Sequence, residues 1–131
     1  MNNIRLLLID DNVELVSMIK EYFSSHANIE VVKEAYNGEE GLEYIKKNSC
    51  EFDLIILDLI MPKKDGVTLL EDMQKLDIDK KVIVLTSYNT GEMIRKVSEM
   101  GVNYFILKPF ELSELERRIL EIGEDLNYDN K

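Results

Sequence analysis

Five short apolar runs recur along the chain: Ile4 to Ile9, Ile29 to Ala35, Leu54 to Leu57, Val82 to Leu85 and Tyr104 to Leu107. Between and after them lie longer segments whose apolar residues fall three and four apart: Val16, Ile19 and Phe23; Leu42 and Ile45; Leu69 and Met73; Met93 and Val97; then Leu112, Leu115, Ile119, Ile122 and Leu126. The short runs predict strands and the spaced segments predict amphipathic helices, each with one face in a core. Strand and helix alternate throughout, which is the signature of a βα-repeating, mostly parallel sheet. The first, third and fourth runs are nearly continuous Leu, Ile and Val, as strands covered on both faces require, so they are expected inside the sheet. The second run carries Glu30, Lys33 and Glu34 and is expected at an edge. The resulting expectation is an α/β domain, a doubly wound five-stranded parallel sheet of order 2-1-3-4-5 with five helices.

Composition narrows this picture without changing it. The 131 residues are 45% hydrophobic and 32% charged, which suits one globular domain. No apolar run is long enough to cross a bilayer, and the run at the amino terminus leads straight into two aspartates, so neither a membrane span nor a signal peptide is expected. The formal charge is −10, with no dense Lys/Arg stripe to offset it, so DNA binding by this chain alone is not expected. A single cysteine, Cys50, excludes an internal disulfide and suits a reducing compartment; the expected location is cytoplasmic. The expected domain is residues 1–126. The polar stretch 127–131 reads as a frayed end or the start of a linker to an absent effector domain.

The chemistry gathers where the strands end. Asp10 and Asp11 follow the first run, Asp58 the third, Thr86 the fourth and Lys108 the fifth. Ligands of an open doubly wound sheet bind outside the carboxyl ends of the strands, where the strand order reverses, here between strands one and three. Taken singly, each residue has an ordinary explanation: Asp11 or Asn12 as a helix cap, Thr86 as a β-branched strand residue, Lys108 as a solvated lysine. Together they bring three carboxylates, a hydroxyl and an ammonium to one rim, which fold stability alone does not ask for. Crowded carboxylates repel, by about 4 kcal/mol per pair at ~4 Å and an effective dielectric near 20. A hard divalent cation held by one or two of them, retaining waters and accepting a phosphate oxygen, is the Mg²⁺ pattern. A central carboxylate beside that cation can act as nucleophile toward phosphorus, with Lys108 and Thr86 contacting phosphoryl oxygens.

The segments "LLLIDDN", "DLIILDLIMPKKDG", "VIVLTS" and "YFILKPF" carry these residues in an order and spacing that resemble the receiver domains of bacterial two-component response regulators over essentially the whole chain. The resemblance implies a flavodoxin-like (CheY-like) fold with Asp58 as phosphoacceptor, phosphorylated by a sensor histidine kinase or a histidine phosphotransfer protein. It implies Mg²⁺ bound by Asp11 and Asp58, by Asp10 largely through water, and by the Ile60 carbonyl. It also implies a cis Lys108–Pro109 peptide and a switch in which Thr86 moves toward the phosphoryl group and Phe105 turns inward. That switch would remodel the last two helices and the fifth strand for homodimerisation or partner docking. Such a protein is a phosphoacceptor rather than a turnover enzyme. "EAYNG" and "YFILKPF" are similar to the receiver of the sporulation transcription regulator of endospore-forming bacteria, which implies a transcriptional output.

Ile60 and Tyr88, two residues beyond Asp58 and Thr86, are bulky and are expected to shield an acyl phosphate from water; packing against each other is the plainer alternative. His26 reads as a solvated or dipole-facing residue at a helix end, and Gly66 as a turn before a helix. A Mg²⁺-dependent aspartyl phosphohydrolase is a rival class, but it wants its second acid two residues after the nucleophile on the first strand, where this chain has adjacent Asp10 and Asp11 and then Asn12. A nucleotide or flavin site would want a glycine-rich loop there, and "DDNVEL" has none.

Overall fold

The computed structural model describes residues 3–87 and 91–129, and side chains as far as residue 126. Strands β1 (Ile4–Ile9), β2 (Ile29–Ala35), β3 (Leu54–Leu57), β4 (Lys81–Thr86) and β5 (Tyr104–Leu107) alternate with helices α1 (Val13–Phe23), α2 (Gly38–Asn48), α3 (Gly66–Lys75), α4 (Gly91–Glu99) and α5 (Leu112–Asp129). The strands form one sheet in the order β2-β1-β3-β4-β5, and every pairing is parallel. The polar second run is an edge strand, as its pattern predicts. Its register against β1 slips between Leu6 and Leu7, so that Val32 is passed over. Among the described residues no helix is long and apolar enough to cross a membrane.

Alternation along each strand divides the core in two. Leu7, Ile9, Ile55, Leu57 and Val84 face α2, α3 and α4, meeting Ile45, Leu69, Met73 and Val97. Leu6, Leu8, Leu54, Ile56 and Ile83 face α1 and α5, meeting Val16, Ile19, Phe23, Leu115, Ile119 and Ile122. Each fully buried aliphatic side chain contributes roughly 1.5–3 kcal/mol of transfer free energy, so these two layers hold the strands in register. Asn12, Asn37 and Asp65 cap α1, α2 and α3 by accepting the amide protons of Leu15, Glu40 and Thr68 at 3.1, 2.9 and 2.8 Å.

Helix α5 continues to Asp129, through the first residues of the stretch 127–131. Two details differ from the sequence reading. His26 is neither solvated nor merely dipole-facing: its Nδ1 accepts the Asn28 amide at 3.0 Å, its Nε2 lies 2.9 Å from Glu116 on α5, and its ring packs against Phe23. Gly66 does not turn the chain. The positive φ values fall at Lys63 and Lys64, while Gly66 opens α3 where a Cβ would collide with the Asp58 carbonyl and Leu59.

Candidate functional site

Backbone hydrogen bonds carry the sheet one residue past its strands and so align the site. The Asp10 amide donates to the Ala35 carbonyl at 3.1 Å, the Asp58 amide to Ile9 at 3.0 Å, and the Lys108 amide to Thr86 at 3.0 Å. Asp58 therefore emerges beside Asp10 where β1 and β3 meet, and Lys108 beside Thr86 where β4 and β5 meet, all on the carboxyl edge of the sheet. One carboxylate oxygen from each of Asp10, Asp11 and Asp58 lies within 4.8 Å of the others. Asp10 and Asp58 are buried, 5% and 6% exposed, and Thr86 is 2% exposed. Asp11 stands exposed at the rim.

These residues have unequal partners. Both Asp10 oxygens are occupied: Oδ1 accepts the Asn12 amide at 2.9 Å and Oδ2 accepts Lys108 Nζ at 2.8 Å. Lys108 Nζ is farther from Asp58 Oδ2, at 3.6 Å. The other Asp58 oxygen accepts the Ile60 amide at 3.3 Å. Among the described residues the Asp11 carboxylate has no hydrogen-bond or ion-pair partner, and Asn12, not Asp11, serves as the α1 cap.

Electrostatics follow from this layout. Burial, and after it the neighbouring Asp10 charge, push the Asp58 carboxyl above its ordinary value; Lys108, the Ile60 amide and the Thr86 hydroxyl pull it down without reversing the shift. One ammonium shared by two buried carboxylates, with a third at the rim, leaves the cluster short of positive charge. Oxygen donors at this spacing suit a hard divalent cation, so the residues present fit Mg²⁺.

A family model described as "Response regulator receiver domain" matches residues 6–120. The chain belongs to the response regulator receiver family. Receiver domains of known structure superimpose closely on it. The receiver domain of Francisella response regulator 1452 is 30% identical, with a TM-score of 0.83 over 95% of this chain and 99% of that one. A CheY-like receiver from Methanospirillum hungatei JF-1 is 26% identical, with a TM-score of 0.86 over 98% and 99%. A chain of the CheX–CheY–BeF3–Mg²⁺ complex from Borrelia burgdorferi is 25% identical, with a TM-score of 0.84 over 93% and 90%.

Within this receiver the remaining sequence candidates are placed as follows. Ile60 projects into solvent at 50% exposure, and Phe105 is partly buried against the α2–α4 layer. The Lys108–Pro109 peptide is cis. Tyr88 lies outside the described residues, so the Ile60–Tyr88 packing alternative is not described. Sequence reasoning missed the Ile60 amide as a donor to Asp58, because a backbone N–H leaves no mark on residue type. It also missed that Lys108 sits closer to Asp10 than to Asp58.

Proposed function

We propose that the protein is a phosphorylation-controlled signalling receiver in which Asp58 takes a phosphoryl group from a phosphohistidine donor in a Mg²⁺-dependent step. The observation that carries this reading is the Asp58 carboxylate, buried at the end of β3, beside two further aspartates and only 3.6 Å from Lys108. Asp11 and Asp58, with the Ile60 carbonyl, would hold the metal directly. Asp10 would act through a water, in keeping with both its oxygens being engaged. The bound cation supplies neutralisation of the carboxylates and of phosphoryl charge. An Asp58 oxygen then forms the bond to phosphorus as the phosphorus–nitrogen bond of the donor breaks and its imidazole leaves. Lys108 balances charge on the phosphoryl oxygens and Thr86 donates its hydroxyl to one of them.

The signal is a population shift: a phosphoryl group that draws Thr86 inward favours an inward Phe105 and an altered α4–β5–α5 surface. That surface would govern homodimerisation or docking of an effector, with a transcriptional output of the sporulation-regulator kind favoured by "EAYNG" and "YFILKPF". Ile60, at the mouth of the site, would slow hydrolysis of the acyl phosphate.

The test is incubation with Mg²⁺ and acetyl phosphate, read by intact mass. Wild type should gain one phosphoryl group and Asp58→Asn none, while Ile60→Asn should gain it and lose it faster. No gain in wild type, alongside a competent control receiver, overturns the proposal.

A further inference from the structure

The loop between β3 and α3 contains the most unusual backbone among the described residues. Lys63 and Lys64 have φ of 59° and 134°, consecutive positive values that residues with a Cβ rarely adopt. Such a conformation persists where its surroundings over-determine it, and here three elements converge on Lys64. Its carbonyl occupies the space a side chain would fill at Gly38, the buried first residue of α2. Its ammonium forms a half-buried ion pair with Asp72 on α3. Two residues on, Gly66 closes the loop through its amide, 2.9 Å from the Leu59 carbonyl, and lies against the Asp58 carbonyl. The Lys64 hydrogen bond, then its charge with those of Lys75 and Lys46, holds the Asp72 carboxyl below its ordinary value, so Asp72 is a charged partner at neutral pH.

The same loop contains Ile60, whose amide donates to Asp58 and whose carbonyl is the metal ligand proposed above. We propose that Lys64 is a positioning residue: by tying the β3–α3 loop to α2 through its backbone and to α3 through its ammonium, it holds Ile60 in register with Asp58 for metal binding. The proposal rests on the Mg²⁺ reading given above. Lys64 itself touches neither metal nor phosphoryl group. It acts as the outer support of a ligand does, where loss of the support typically weakens metal affinity about ten-fold or more.

Two readouts test it. In metal-free protein, Lys64→Ala should speed hydrogen exchange of the amides of residues 60–61 and 63–66 while leaving the central strands protected. In calorimetric titration it should weaken Mg²⁺ binding by about ten-fold, with phosphorylation by acetyl phosphate recovering at saturating Mg²⁺. The exchanged pair Lys64→Asp with Asp72→Lys should restore part of both. Gly38→Ala, which removes no charge, should weaken Mg²⁺ binding by displacing the Lys64 carbonyl. Wild type that binds Mg²⁺, with Lys64→Ala unchanged in exchange and affinity, overturns the latch alone. Wild type that binds no Mg²⁺ overturns the reading of the site and the proposal with it.

Discussion

Two aspartates bracket the same four-residue strand, and the protein treats them in opposite ways. Asp53, just before β3, accepts the Arg5 amide at 2.9 Å and the Arg5 guanidinium at 3.2 and 3.0 Å, while its own amide donates to the Arg5 carbonyl at 2.8 Å. Burial pushes its carboxyl up, but the Arg5 hydrogen bonds and charge outweigh that and leave it below its ordinary value. Asp58, just after β3, has one backbone donor, the Thr86 hydroxyl and a share of one lysine, and burial with Asp10 still carries it above its ordinary value. One end of the strand is electrostatically complete and ties β1 to β3. The other is kept incomplete, and that deficit is what a cation or a phosphoryl group can fill. Identical residues at opposite ends of one strand thus separate into a structural and a reactive role by the donors the fold directs to each.

The largest expected effect breaks the comparison by filling the deficit. Saturating Mg²⁺ at a hundred times its dissociation constant should stabilise wild type by about 2.7 kcal/mol. The shift, followed by urea denaturation, should reverse with chelator, survive Asp53→Ala and disappear in Asp58→Asn. A Mg²⁺ shift of equal size in Asp58→Asn would show that the cation acts elsewhere. Next in size, Asp53→Ala should destabilise the protein by about 1–2 kcal/mol, since it removes charge-assisted bonds of a partly exposed pair and strands the Arg5 amide. Phosphorylation by acetyl phosphate should be unaffected; a large loss would mean that the two ends of β3 are not independent.

The reactive end was far more legible in the sequence than the structural one. Strand order and helix placement followed from the contrast between "LLLI", "LIIL" and "VIVL" on one side and the charge-bearing "IEVVKEA" on the other, because burial on both faces dictates residue type directly. The convergence of Asp10, Asp11, Asp58 and Lys108 followed from topology, since parallel strands end on one edge. Pairings that depend on side-chain reach did not follow. Arg5 and Asp53 are 48 residues apart and each looks like a solvated charge, as do Lys64 and Asp72. His26 belongs to the same class, joined to Glu116 only once α1 and α5 share a sheet face. Neither could the positive φ values at two lysines be read, because lysine carries no preference for them.

A smaller effect separates the two ends by acid. The folded Asp58 carboxyl lies above its unfolded value of 3.8, so folding favours its protonated form. Metal-free stability attached to it is present below pH 3.8 and is lost as pH climbs through the raised folded value. Asp58→Asn should therefore gain about 1 kcal/mol over wild type at neutral pH, from no longer burying a charge and, after that, from relief of the Asp10 repulsion, and this advantage should close as pH approaches 3.8 from above. Asp53 runs the other way: its contribution is present above 3.8 and fades as pH falls through its depressed folded value. Urea midpoints across this range, in chelator, should show the two variants with opposite signs at neutral pH. An Asp58→Asn advantage that grew on acidification would contradict the raised carboxyl.

The smallest effect concerns Asp11, where crowding alone suggests a gain on neutralisation and exposure limits it. Asp11 shares the 4.8 Å cluster but stands in water, while Asp10 is already matched by Lys108. Its repulsion of Asp58 is screened as exposed charges are, so Asp11→Asn in chelator should raise stability by only about 0.2–0.5 kcal/mol. In Mg²⁺ the sign should invert, because the same change removes a proposed ligand. Thermal melts with and without the cation measure both halves. A clear fall in chelator would mean that Asp11 is held by contacts rather than repelled, and the division between a completed and an uncompleted end of the sheet would then stop at Asp58.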